Sequence, residues 1–230
     1  MSQDDDDKRA RIVEARLKLR ARFQAETTPS MADPRPMGDG PPNRHGMPRL
    51  PPDQYETRKW PVLDLGLKPE IPPERWSLTV DGAVHRPLRL SWADFMALEQ
   101  VDDTSDFHCV TKWSRMDVPW RGVRLSDVIA LAEPDDAAAF LMCHAHDGYT
   151  TNLPLAEALK PDVLLVHTAD GVPLPVDHGG PVRVITPQLY AWKGAKWIKT
   201  LELMTEDRLG FWEERGYSNT AYPWRNDRYS

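Results

Sequence analysis

The chain has 230 residues, 40% of them apolar and 28% charged, enough to bury one sizeable core. Its 35 acidic and 29 basic residues give a net charge of −6, which argues against nucleic acid as the partner. Two cysteines, Cys109 and Cys143, are too few for a disulfide framework and fit a reducing compartment. The expected location is the cytoplasm, because there is no signal-peptide pattern and no apolar run of about 18 residues that could form a transmembrane segment.

The acidic run DDDDK (Asp4–Lys8) suits the start of a helix and also matches the site of a protease used to remove tags. From Lys8 to Glu26, Ile12, Val13, Leu17, Leu19 and Phe23 are interspersed among charges. This spacing predicts a solvated surface helix with a narrow apolar stripe. Residues 29–53, rich in Pro, Gly and Arg, predict an extended arm, because proline fixes φ and removes a donor. Residues 1–53 are therefore read as a charged helix and arm, and 54–230 as the globular domain.

Beyond Trp76, WSLTVDGAV and PLRLSW predict two short strands joined by an Asp-Gly turn. SWADFMAL predicts a helix capped by Ser91, and VRLSDVIALA repeats the pattern with Ser126 as the cap. AAFLMCHAH, DVLLVHTADG, VRVITP and AKWIKTLELM predict further strands, and DGYTTNLPLAEAL a turn leading into a helix. The pattern is mixed α+β, without regular βαβ repeats and without a P-loop.

Individually, the chemically interesting residues leave several readings open. Cys109, beside His108, suits a small buried residue, half of a disulfide, a nucleophile or a metal ligand. Cys143, His144 and His146 in CHAHDGY suggest a zinc-binding module, although the paired spacings of structural zinc sites are absent. DHGGPVR reads as a glycine turn before a strand, and GAKWIK as an amphipathic strand.

In order, these blocks carry a resemblance. HCVTKWSRMDVPWRGVRL, with Cys-Val followed by Trp-Ser and a Pro-Trp-x-Gly turn, resembles the metal-ligand loop of the sulfite oxidase family in its methionine sulfoxide reductase version. GYTTNLPL resembles the segment that places a tyrosine at the metal, and PLPVDHGGPVRVITP with GAKWIK resembles the pterin-binding stretch. The resemblance runs from about Pro51 to Glu214. It implies a mixed α+β molybdopterin-binding fold and a molybdenum-molybdopterin cofactor. The implied activity is two-electron oxygen-atom transfer at a sulfur centre of a small-molecule substrate, with a separate electron-transfer partner.

The resemblance also implies site residues. Cys109 is the metal ligand, giving a soft thiolate to a metal that takes sulfur donors. Tyr149 lies near the reacting atom, and Arg58 in YETRKW receives a substrate anion. Trp60, His144, His178, Arg183, Gly194, Ala195 and Lys196 contact the cofactor, with His146 the runner-up to His144. A cofactor-binding protein without turnover is the alternative from another class. Cys143 is read as structural.

Overall fold

The computed structural model describes residues 3–26 and 36–230. Part of the expected arm, residues 29–35, lies outside them. Helix α1 (Gln3–Glu26) begins at the acidic run, where Asp4, Asp5 and Asp6 meet the positive end of the helix dipole. The rest of the arm is not simply extended. β1 (Asp39–Pro42) and β2 (Pro48–Leu50) pair antiparallel, and β3 (Tyr55–Glu56) follows.

Strands β4 (Ser77–Gly82) and β5 (Leu88–Ser91) then form the expected antiparallel pair, with Ser77 opposite Ser91. Alternation decides which side of β4 is inside: Leu78 and Val80 are fully buried while Ser77 and Thr79 face outward. α2 (Trp92–Ala97) starts at Ser91, whose Oγ accepts from the Asp94 amide at 3.2 Å. The Asp94 carboxylate accepts from the Ser91 amide in return, completing a capping box.

β6 (Val101–His108) and β7 (Trp113–Arg124) form a long hairpin. α3 (Leu125–Leu131) follows at once, but here the expected cap is wrong. Ser126 lies inside the helix, Arg124 is the N-cap residue, and no side chain caps it. Burial of Leu125, Val128 and Ile129 sets this start instead. β8 (Phe140–Ala145), β9 (Thr150–Pro154), α4 (Leu155–Ala158), β10 (Leu164–Ala169), β11 (Val172–Pro173), β12 (Arg183–Ile185) and β13 (Ile198–Met204) complete the chain order.

Two larger sheets result. One has the order β5-β4-β13-β8-β9, with β13 parallel to β4 and antiparallel to β8. The other runs β11-β10-β7-β3, with β12 on β10 and β6 on β7. Gly122 of β7 has no room for a Cβ, because the Leu165 carbonyl of β10 fills the place. The mixed α+β class expected from the sequence holds. The main core gathers Trp76, Leu78, Phe95, Leu125, Leu141 and Leu201.

Candidate active site

A cleft enclosing about 840 Å³ of empty space, its mouth included, is lined by Phe107 of β6, Trp113 of β7, Arg183 of β12 and the loop residues Tyr149 and Trp197. Cys109 stands in it at the bend of the β6–β7 hairpin. The bend is closed by backbone bonds, Cys109 N–H to Trp113 O at 2.8 Å and Lys112 N–H to Cys109 O at 3.2 Å. Side chains hold it from behind: Gln54 donates to the Cys109 carbonyl at 3.0 Å and Arg228 to the Val110 carbonyl at 3.3 Å. The thiol therefore has a fixed direction. Burial pushes its pKa up, opposed by its Thr111 hydrogen bond and by the charges of Arg16 and Arg228.

Arg183 on β12 forms part of the cleft lining. Its guanidinium is 3% exposed and donates to the carbonyls of His178 at 3.1 Å and Gly194 at 3.0 Å. Burial lowers its pKa to about 10. Lys196 donates to the Asp177 carbonyl at 2.7 Å, and burial followed by the like charge of Arg183 lowers it to about 7. His178 stacks on Trp60, with centroids 3.8 Å apart. Burial, then Arg183 and Lys196, lowers the His178 imidazole to about 4, so it is neutral at pH 7. Gly179, in the left-handed region at φ 104°, makes the turn after His178 and leaves space for Lys196, whose Cβ would be 2.8 Å from a Cβ there.

Tyr149, just ahead of β9, is buried in the cleft lining and donates its hydroxyl to the Trp192 carbonyl at 2.6 Å. Burial, then the charge of Glu213, holds the phenol well above its ordinary pKa. The turn carrying Trp192 and Gly194 is anchored by Lys193, which points away from the cleft. Its ammonium meets Glu213 at 2.7 Å and Asn152 O at 2.9 Å, with the Lys193 and Glu213 side chains both 0% exposed. Trp192 Nε1 and Thr151 Oγ1 donate to the same Glu213 oxygen.

Helix α1 lies across the mouth. Arg9 donates to the Asp147 carbonyl at 3.0 Å and covers the Phe211 ring. Ile12 packs on Gly66, Arg20 donates to the Arg215 carbonyl, and Lys112 sits over the Phe23 ring. Arg16, between them, lines the cleft. The helix expected to be solvated is therefore docked along one face.

The structure thus brings Cys109, Tyr149, Trp60, His178, Arg183, Gly194 and Lys196 into one cleft. It does not bring in three other expected residues. Arg58 is exposed on the segment after β3 and does not line the cleft. His144 faces outward on β8 and bonds Glu202 at 2.7 Å, with His146 exposed two residues on. Ala195 is fully buried in the core, its carbonyl accepting from Val184 N–H. Cys143 points into the core, away from His144, and burial raises its thiol to about 12. Among the described residues no group of three or more His, Cys, Asp or Glu side chains gathers to hold a metal.

Residues 65–212 match the oxidoreductase molybdopterin binding domain. The chain belongs to that family. Over 183 residues it is 40% identical to the uncharacterized oxidoreductase YuiH of Bacillus subtilis, covering 79% of this chain and 92% of YuiH. Identity to the protein-methionine-sulfoxide reductase catalytic subunit MsrP of Pseudomonas syringae is 28% over 158 residues, 61% of this chain but 47% of MsrP. With mitochondrial sulfite oxidase of Mus musculus it is 35% over 108 residues, 43% of this chain and 20% of that protein. The chain thus spans about half the length of MsrP, and the match to sulfite oxidase covers a smaller share still. The fold is also that of the sulfane dehydrogenase SoxCD from Paracoccus pantotrophus, with TM-score 0.56 at 20% identity over 60% of this chain and 40% of that one.

The cleft fits a molybdopterin. Arg183 and Lys196 are cations held by carbonyl oxygens instead of carboxylates, an arrangement suited to a phosphate-bearing group. A narrow recess shares Phe107, Ala191 and Gly194 with the cleft. In it His108 Nε2, Trp120 Nε1 and Thr186 Oγ1 are buried with no hydrogen-bond partner among the described residues. Such groups are costly to leave unmatched, by about 1–3 kcal/mol each, unless a polar ligand or water meets them.

Sequence reasoning missed Arg16 on α1, Trp113, Trp192, Trp212 and Tyr217 in the cleft lining, and Arg228 behind the cysteine bend. For Arg16 a signal exists: Arg9, Ile12, Val13, Arg16, Arg20 and Phe23 recur at helical spacing on one face.

Proposed function

We propose that this molybdopterin-dependent oxidoreductase transfers an oxygen atom to or from the sulfur of a small substrate and exchanges electrons with a separate protein. The observation that carries the reading is the Cys109 thiol, fixed at the hairpin bend and facing a cleft that also holds His178, Arg183 and Lys196. The methionine sulfoxide and sulfite for which MsrP and sulfite oxidase are named support sulfur as the reacting element.

When bound, the molybdenum-pterin supplies two-electron redox chemistry and oxygen-atom exchange. Cys109 would hold the metal through Sγ, a soft ligand whose deprotonation the cation itself favours. Arg183 and Lys196 would receive the phosphate end, and the His108–Trp120–Thr186 recess adds unmet polar atoms for the polar edge of the cofactor. Trp60, stacked on His178, and Phe107 wall the cleft and exclude water, which strengthens charge interactions within it. Tyr149 has its proton committed to the Trp192 carbonyl and acts as an oriented neutral wall, not as a proton donor.

Both cysteines are free and buried, which fits a reducing compartment and supports a cytoplasmic placement. Among the described residues no helix is long and apolar enough to cross a membrane. The test is elemental analysis together with turnover of sulfite and of sulfoxides with artificial electron carriers. Stoichiometric molybdenum and turnover of at least one substrate are expected. Molybdenum without any turnover would reduce the protein to a cofactor binder.

A further inference from the structure

With Arg58 outside the cleft, a substrate anion lacks the receptor that the sequence resemblance implies. We propose that helix α1 is part of the active site and delivers Arg16 into the cleft mouth as the receptor for a small oxyanion substrate. This rests on the reading of the cleft as the substrate and cofactor site.

The helix is fixed at three levels of its cleft-facing side. Arg9 and Ile12 hold the first half through Asp147 and Gly66, Arg20 holds the second through Arg215, and Phe23 meets Lys112 of the cysteine bend. Val13 packs against the main core. Residues 9, 12, 13, 16, 20 and 23 share one face of an α-helix, so this docking aims Arg16 inward.

Arg16 differs from its neighbours in what it does there. Arg9 and Arg20 are used up on backbone carbonyls, whereas among the described residues Arg16 makes no hydrogen bond or ion pair. The two carboxylates that line the cleft are engaged elsewhere. Asp147 accepts from the Tyr149 amide at 3.0 Å, and Asp64 accepts from the Gly66 amide at 2.8 Å and faces Lys68 at 4.0 Å. Arg16 lines the same cleft as Cys109 and Tyr217, which brings its charge to the side of the cleft where the ligand cysteine stands. Arg183 and Lys196 serve the cofactor's phosphate, so Arg16 is the guanidinium left for a substrate. Its planar fork suits an oxyanion better than an ammonium does.

The experiment uses full-length molybdenum-loaded protein and sulfate, an oxyanion that needs no turnover. Binding is read from tryptophan fluorescence, since Trp60, Trp113, Trp192, Trp197 and Trp212 line the cleft. Arg16→Met should weaken sulfate binding roughly 10- to 100-fold, the size of one charge-assisted hydrogen bond, and Arg16→Lys should recover part of it. Arg11→Met, on the exposed side of the same helix, should stay within about two-fold, which controls for net charge. In turnover, Arg16→Met should raise KM for sulfite and leave that for dimethyl sulfoxide unchanged. Absence of sulfate binding by the wild type, equal weakening by Arg11→Met, or an equal loss on the anionic and neutral substrates would overturn the proposal. Failure of the oxygen-transfer reading is a separate result: no turnover of any substrate, with the Arg16-dependent sulfate binding intact.

Discussion

Lys193→Met isolates the buried ion pair that anchors the cleft turn. It leaves the Glu213 carboxylate at 0% exposure with two neutral donors, Trp192 Nε1 at 3.1 Å and Thr151 Oγ1 at 2.9 Å, and no cation. Removing one partner of a fully buried pair costs about 3–5 kcal/mol, because the other charge stays desolvated. For a chain of this size that corresponds to a fall of roughly 6–20 °C in thermal midpoint. Urea unfolding, with an unchanged dependence on denaturant, measures the free energy directly. The double variant Lys193→Met/Glu213→Gln removes the stranded charge while the amide oxygen still accepts from Trp192 and Thr151, so it should recover at least half of the loss. A double variant as unstable as the single one would refute the argument, because the damage would then lie in packing and not in the unpaired carboxylate. The single variant should also lower molybdenum content, since Tyr149 and Arg183 bond to carbonyls of Trp192 and Gly194 on the same turn.

Cys109→Ser should abolish the thiolate-to-metal absorption band of the loaded protein, while Cys143→Ala should keep the band and the metal content. Arg58→Ala, at an exposed position outside the cleft, should change stability by no more than about 0.5 kcal/mol and leave sulfite KM unchanged. His108 is buried and neutral, with burial lowering its imidazole to about 3. Its unfolded-state value is about 6.5, so its contribution is fully present above that pH and is lost as pH falls towards 3, by up to about 1.4 kcal/mol per unit. His108→Asn should flatten the decline of unfolding free energy between pH 6 and 4; an unchanged slope would assign the decline to other groups.

The fold was legible wherever one local rule dominated. Ser91, followed three residues later by Asp94, formed the box its spacing promised. Ser126 looked equivalent, yet burial of Leu125 moved the helix start two residues earlier and bypassed it. β6 escaped notice because Asp102, Asp103, Ser105 and Asp106 hide its alternation, and β7 because Pro119 breaks the pattern of a strand. In the site, Cys109, His178, Arg183, Gly194 and Lys196 came from ordered blocks that resemble a family, and all five line the cleft. His144 failed because strand alternation turns it outward once Cys143 is turned in. The docking of α1 was half legible: Arg9, Ile12, Val13, Arg16, Arg20 and Phe23 share one helical face, but the backbone carbonyls that receive Arg9 and Arg20 leave no trace in the sequence.

That docking also imposes an order of events during synthesis. Helix α1 emerges ahead of the domain, yet every surface that holds it comes later, from Gly66 through Asp147 to Phe211 and Arg215. A segment made before the surfaces that hold it is therefore among the last to settle. The C-terminal half of the helix has no anchor until Arg215 is in place, so the cover of the cleft mouth is completed only after most of the cleft lining has been made.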